Sequence, residues 1–269
     1  MSCVAVIQMV STSDLDSNLR VAERLIREAV DAGARLVLLP ENFALFDSQQ
    51  LFRLAKHETE AGNISRWLSE LSGSLKVWIF AGSFPLLSEA PESHKVRSAL
   101  RVYNPQGDVA ARYDKRHLFD VDVRDGHGSY RESDVIAPGN ELIVVDTEMG
   151  RVGLSICYDL RFPDHFWKLR ELGAEIIVVP SAFTKVTGKA HWEVLLRARA
   201  IETQCFVLGA NQGGVHSVSR ETSGDSMIID PWGSVLSRCD SGEAVVLAEL
   251  DFELLRQVRQ RMPVLLHRR

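Results

Sequence analysis

The chain has 269 residues, 45% of them apolar and 25% charged, which is enough to bury a large core and excludes a disordered chain. A formal net charge of −5 argues against a nucleic-acid surface, and no apolar stretch approaches the length of a membrane span. Four scattered cysteines, Cys3, Cys157, Cys205 and Cys239, form no disulfide framework or C-x-x-C pair and point to a reduced, cytoplasmic protein.

The N-terminal "MSCVAVIQMV" lacks the basic region and cleavage site of a signal peptide, and its residues 3–9 read as a first strand. Residues 13–34 come next as an amphipathic helix, with Leu15, Leu19, Ala22, Ile26 and Ala29 on one face, Ser13 or Asp14 as cap and Gly33 as stop. "RLVLLP" (35–40) is a buried strand that Pro40 ends. A short helix (63–74) precedes the strand "KVWIFAGSF" (76–84). Residues 97–115 predict a hairpin turning at Asn104–Asp108. A long loop rich in Asp, Gly and His occupies 116–140, the kind of segment that carries function. Strands "ELIVVDT" and "RVGLSIC", a helix (163–173), a strand (175–180), a helix (189–203) and a strand (205–211) come after it. A second hairpin (226–238), a strand (243–251) and a helix (252–262) close the chain. With no linker or repeat, residues 1–269 are expected to form one domain, with mixed sheets packed between helical layers.

Three apolar strands each deliver a reactive side chain at or just past their end: Glu41 after "LVLLP", Lys115 in "ARYDK", Cys157 in "LSIC". Strand ends are where α/β sheets bind ligands. A thiol, a carboxylate base and an ammonium form a set for covalent attack on a carbonyl carbon. Taken singly, Cys157 is equally read as core packing, Glu41 as a solvated loop carboxylate and Lys115 as a surface charge beside Asp114. On the loop, Glu132 can hold the Lys115 ammonium, or pair with Arg131. The Tyr158 backbone N–H can complete an oxyanion hole. Arg161 can grip a substrate carboxylate, or pair with Asp159 or Asp164. The segment Ser181 to Thr184, with Phe183, is placed at a pocket wall, and His117 is expected to support Lys115. The ion pairs Glu193–Arg197 and Arg199–Glu202 on the 189–203 helix are read as structural. Eight histidines show no metal-ligand spacing, and no nucleotide-binding glycine loop is present, so no metal and no cofactor is expected.

"LLPENF", "YDKRHLFDVDV" and "GLSICYDLRFP", in this order, resemble the nitrilase, or carbon–nitrogen hydrolase, superfamily. The resemblance spans essentially the whole chain. It implies a four-layer α-β-β-α sandwich, a triad of Glu41, Lys115 and Cys157, an active-site glutamate at Glu132, a small-molecule amide substrate, and dimers that stack their helices. "PSAF", the 186–205 block and "SMIIDPWG" look closest to the deaminated-glutathione amidase branch, although Asp225 stands where that branch usually carries His. An ω-amidase acting on 2-oxoglutaramate and a catalytically silent interaction protein remain the alternatives.

Overall fold

The computed structural model of the protein describes residues 3–88, 94–123 and 128–269. Its first half runs β1 (Cys3–Gln8), α1 (Leu15–Asp31), β2 (Leu36–Leu38), α2 (Leu51–Ala61), α3 (Asn63–Leu75), β3 (Trp78–Phe80), β4 (Phe84–Leu87), β5 (Val96–Tyr103) and β6 (Val109–Asp114). A ribbon of β7 (Asp120–Asp122) and β8 (Ser129–Arg131) leads into β9 (Val144–Thr147), β10 (Gly150–Leu154), α4 (Pro163–Glu171), β11 (Ile176–Ser181), α5 (Lys185–Thr203) and β12 (Phe206–Asn211). The chain ends with β13 (Val215–Ser217), β14 (Arg220–Glu221), β15 (Met227–Ile229), β16 (Val235–Arg238), β17 (Ala244–Glu249), α6 (Phe252–Arg261) and α7 (Val264–His267).

Both large sheets are mixed. The first has the order β17-β1-β2-β3-β5-β4, with β6 on the other side of β5, and the second has the order β16-β15-β12-β11-β10-β9. Successive side chains of a strand point to opposite faces, so β1 serves two cores at once. Val4 and Val6 enter the core that also holds Leu154, Ile156 and Val178 of the second sheet, whereas Ala5 and Ile7 meet Ala22, Leu25, Ile26 and Ala29 of α1. Both faces of the first sheet are therefore buried, one under helices and one against the second sheet. α4 and α5 cover the far side of the second sheet through Phe166, Leu169, Trp192 and Leu196, which completes the layers α-β-β-α. A parallel bridge between Met9 and Gln212 joins the two sheets where β1 and β12 end.

Several expectations shift for local reasons. Asp14, rather than Ser13, caps α1, accepting from the Ser17 N–H at 3.0 Å. The expected strand 76–84 breaks into β3 and β4, both paired with β5, because Gly82 turns between them at φ +48°. α5 starts at Lys185 rather than 189, because Thr184 caps it by accepting from the Thr187 N–H at 3.2 Å. The long loop at 116–140 contains the β7–β8 ribbon; its residues 124–127, His127 among them, lie outside the described residues. α2 has no counterpart among the sequence expectations. A 3-10 turn (Ser48–Gln50), capped by Asp47 accepting from the Gln49 N–H at 2.9 Å, runs directly into it, so the start signal stands ahead of α2 rather than at its first residue.

Candidate active site

β2 and β3 run parallel, β5 reverses and β6 reverses again, so β2 and β6 point the same way. Glu41 and Lys115, just beyond these two strands, therefore emerge at one edge of the first sheet. β10 of the second sheet brings Cys157 to the same place. All three line a cavity of about 850 Å³, with Glu132, Tyr158, Arg161, Phe183 and Thr184 among its other walls.

Lys115 is the hub. Its Nζ lies 2.8 Å from Glu41 Oε1 and 2.8 Å from both Glu132 oxygens. The Lys115 and Glu41 side chains are 2% and 5% exposed, so these charges meet almost without water. Burial opposes the ammonium, but Glu132 and Glu41 more than offset it and hold its pKa well above the usual lysine range. Glu132 also accepts from the Phe119 N–H at 2.6 Å. Burial, and then the Glu41 charge, raise the Glu132 carboxyl despite its contact with Lys115. Arg131 pairs instead with Asp122, at 2.9 Å.

Burial, and then the Glu41 charge, push the Cys157 thiol well above the usual thiol range, with the Lys115 ammonium and the Ala182 backbone acting the other way. Cys157 opens a 3-10 turn (Cys157–Arg161) at φ +48°, and Asn42, next to Glu41, stands at φ +57°. Non-glycine residues seldom occupy this region, and where they do the surroundings enforce it.

The enforcing contacts are visible. Asp159 is fully buried and accepts from Ile156 N–H (2.8 Å), Tyr113 O–H (2.6 Å), His117 N–H (3.0 Å) and His117 Nδ1 (2.6 Å). Burial opposes its charge, yet these partners and His165 hold its carboxyl below the usual range. Tyr113 and His117 flank Lys115, so one carboxylate fastens the nucleophile turn to the lysine strand. The same turn is gripped from α5, where Arg199 Nε and Nη2 donate to the Leu160 carbonyl at 2.9 and 2.7 Å. Behind Glu41, Gln212 donates to the Glu41 carbonyl at 3.0 Å, and the Ser83 hydroxyl accepts from the Asn42 N–H at 3.1 Å. A Cβ on Gly82 would collide with the Pro40 carbonyl and come within 2.7 Å of the Leu39 carbonyl, so only glycine lets this loop lie against the residue before Glu41.

Arg161 makes no ion pair with Asp159. Its guanidinium lies over Phe183 at 5.4 Å and Tyr158 at 5.8 Å, with His191 Nδ1 at 3.3 Å. Thr184 lines the cavity, but its hydroxyl is used in capping α5. Ser181 is a correction to the expected pocket wall. It is the last residue of β11, fully buried, its Oγ facing the Val179 carbonyl at 3.4 Å, and Ala182 lines the cavity in its place. Asp225 lies outside the cavity wall and pairs with Arg238 at 2.7 Å. Among the described residues, His117, Asp159 and His165 are grouped closely enough for a metal ion. The Asp159 oxygens are already taken up by donors, and His165 Nε2 faces the Leu154 carbonyl at 3.1 Å.

Residues 3–260 match the family described as Carbon-nitrogen hydrolase. The chain belongs to the carbon–nitrogen hydrolase family. A similar member is the deaminated glutathione amidase of Yersinia enterocolitica, 44% identical over 267 residues, 99% of this chain and 92% of that protein. Among solved structures, the C. elegans NitFhit protein superposes with a TM-score of 0.91 at 37% identity, covering all of this carbon–nitrogen hydrolase chain and 65% of its own. Saccharomyces cerevisiae Nit3, a member of branch 10 of the nitrilase superfamily, gives 0.85 at 30% identity, covering 97% of this chain and 95% of its own. The four-layer α-β-β-α sandwich expected from the sequence is thus the fold of this family.

One cavity residue gives the carbon–nitrogen hydrolase a pH signature. Burial pushes His216 down to about 4; the Arg220 charge acts the same way, and the Ser11 carbonyl opposes both. Between about 6.5 and 4 the unfolded chain takes up this proton and the folded one does not. The lowered value therefore contributes stability that is complete above about pH 6.5 and lost as pH falls towards 4, about 3 kcal/mol at most. His165, also lowered by burial, acts in the same sense, and Glu132, raised by burial, acts in the opposite one. Urea unfolding at pH 7 and pH 4.5 is expected to show a smaller acid loss in His216→Gln than in the wild type. An identical loss would contradict the assignment.

Proposed function

We propose that the protein is an amidase that hydrolyses deaminated glutathione to 2-oxoglutarate and Cys-Gly through a thioester on Cys157. The observation that carries this is the buried cluster in which Lys115 bonds both Glu41 and Glu132 at the wall of the small-molecule-sized cavity that Cys157 also lines. The name of the Yersinia enterocolitica relative supports the choice of substrate.

In this mechanism Glu41 removes the thiol proton as the sulfur attacks the amide carbon. The carbonyl oxygen becomes an oxyanion, met by Lys115 Nζ and the Tyr158 N–H. Lys115 touches both Glu132 oxygens, so it can turn one N–H to the oxyanion without leaving Glu132. Glu41 then passes its proton to the nitrogen, the C–N bond breaks, and Cys-Gly departs. Glu41 next deprotonates a water that attacks the thioester carbon. The C–S bond breaks, 2-oxoglutarate leaves and the thiol is restored. No metal or cofactor enters this scheme.

Arg161, held against two aromatic rings at the cavity wall, is proposed to bind the 2-oxo-acid carboxylate, with Phe183 beneath it and Thr184 alongside. Losing such a charged hydrogen bond costs about 1.5–3 kcal/mol. Arg161→Ala is therefore expected to raise KM roughly 10- to 150-fold for both deaminated glutathione and 2-oxoglutaramate. An unchanged KM would place the carboxylate elsewhere. Side-by-side turnover should favour deaminated glutathione in kcat/KM; a preference for 2-oxoglutaramate would make the protein an ω-amidase. We further propose a cytoplasmic homodimer. α5 exposes Val194 and Ile201, and Trp232 beside them is 61% exposed, an apolar face suited to a second copy. The four free cysteines suit a reducing compartment.

A further inference from the structure

No sequence signal marks Arg220, yet its surroundings are unusual. It begins β14 and lines the same cavity as Cys157. Its guanidinium lies over Tyr130 at 4.7 Å and Phe46 at 5.5 Å, and Nη2 donates to the Ala182 carbonyl at 3.2 Å. Ala182 and Cys157 line this same cavity, so the guanidinium is anchored to a residue of the wall that also carries the reacting sulfur. Nη1 is buried and has no hydrogen-bond partner among the described residues. Buried polar groups are nearly always satisfied, and an orphan donor on a cationic group carries the highest cost.

The other cations of the cavity are already engaged. Lys115 lies between Glu41 and Glu132, and Arg131 faces Asp122. Arg161 is assigned to the oxo acid. Arg220 forms no ion pair among the described residues, and its two aromatic neighbours hold the fork in place without neutralising it. A planar guanidinium with a free, buried N–H is a binding site for a carboxylate.

We infer that Arg220 binds the carboxylate on the leaving-group side of the scissile amide, making this a site for acyl-dipeptide anions rather than for simple primary amides. This rests on the amidase reading and deepens it. Deaminated glutathione carries one carboxylate on each side of the amide, and 2-oxoglutaramate carries only one. Two separately held arginines in one cavity match the dianion.

The test compares deaminated glutathione with its C-terminal carboxamide, which keeps everything but that negative charge. The wild type should prefer the acid by roughly 10- to 150-fold in kcat/KM, the range lost with a charged hydrogen bond. Arg220→Met should bring the ratio close to one, and Arg220→Lys should keep part of it. Both substrates are measured on one preparation, so any loss of folded enzyme cancels in the ratio. A wild-type ratio near one, or an undiminished ratio in Arg220→Met, overturns the inference while leaving the amidase reading intact. A wild-type enzyme that hydrolyses neither substrate overturns both.

Discussion

Lys115→Met is expected to be damaging twice over, in stability and in rate. The ammonium touches Glu41 and Glu132, whose side chains are 5% and 17% exposed. Methionine keeps the stem and removes the charge, leaving two carboxylates close together with no cation between them. Removing one partner of a buried ion pair typically costs about 3–5 kcal/mol. Loss of the oxyanion donor should also lower kcat by on the order of 10² or more. Unfolding in urea and steady-state kinetics at one pH measure both effects. Adding Glu132→Gln removes one of the stranded charges, so the double variant should regain part of the stability and none of the activity. A Lys115→Met enzyme with wild-type stability would mean that the cluster does not hold three charges. One with wild-type kcat would remove Lys115 from the reaction.

Cys157→Ala should take turnover to the background level while the fold survives. Only a sulfur is removed from a cavity wall, and alanine tolerates the backbone at φ +48° about as well as cysteine does. The stability change should stay near 1 kcal/mol, the ordinary cost of a point change. The two variants therefore separate the roles. Losing Cys157 removes chemistry alone, whereas losing Lys115 removes chemistry and the electrostatic balance that lets Glu41 and Glu132 lie together. Retained turnover in Cys157→Ala, or its unfolding, would break this distinction.

The parts of the fold that are legible in the sequence are those whose signals are local. The period of α1, the turn at Asn104–Asp108 and the apolar runs of β11 and β12 all appear as structure in those places. The illegible parts depend on partners distant in the chain. Gly82 reads as one residue in a strand until Pro40 is known to lie against it. Asp159 reads as a possible mate for Arg161, yet the fold buries it against Tyr113 and His117 of another strand's end. Ser181 and Ala182 differ by one position, and where β11 ends decides which of them faces the cavity. Among the site residues, Glu41, Lys115 and Cys157 are suggested by their places at strand ends, but they are read as a set only through the motifs that resemble the carbon–nitrogen hydrolases. Arg220 cannot, because it sits in a short hairpin with no apolar run before it and acquires its meaning only from the rings of Phe46 and Tyr130.

On the proposed route the amide carbon becomes covalently bound to Cys157. Rapid quenching of the wild-type protein during a single turnover of deaminated glutathione, with intact mass and peptide mapping of the quenched samples, tests it directly. A transient 2-oxoglutaryl adduct is expected on the peptide containing Cys157, decaying as 2-oxoglutarate appears. Product formation with no adduct at any time, or with the adduct on Cys3, Cys205 or Cys239, would contradict it.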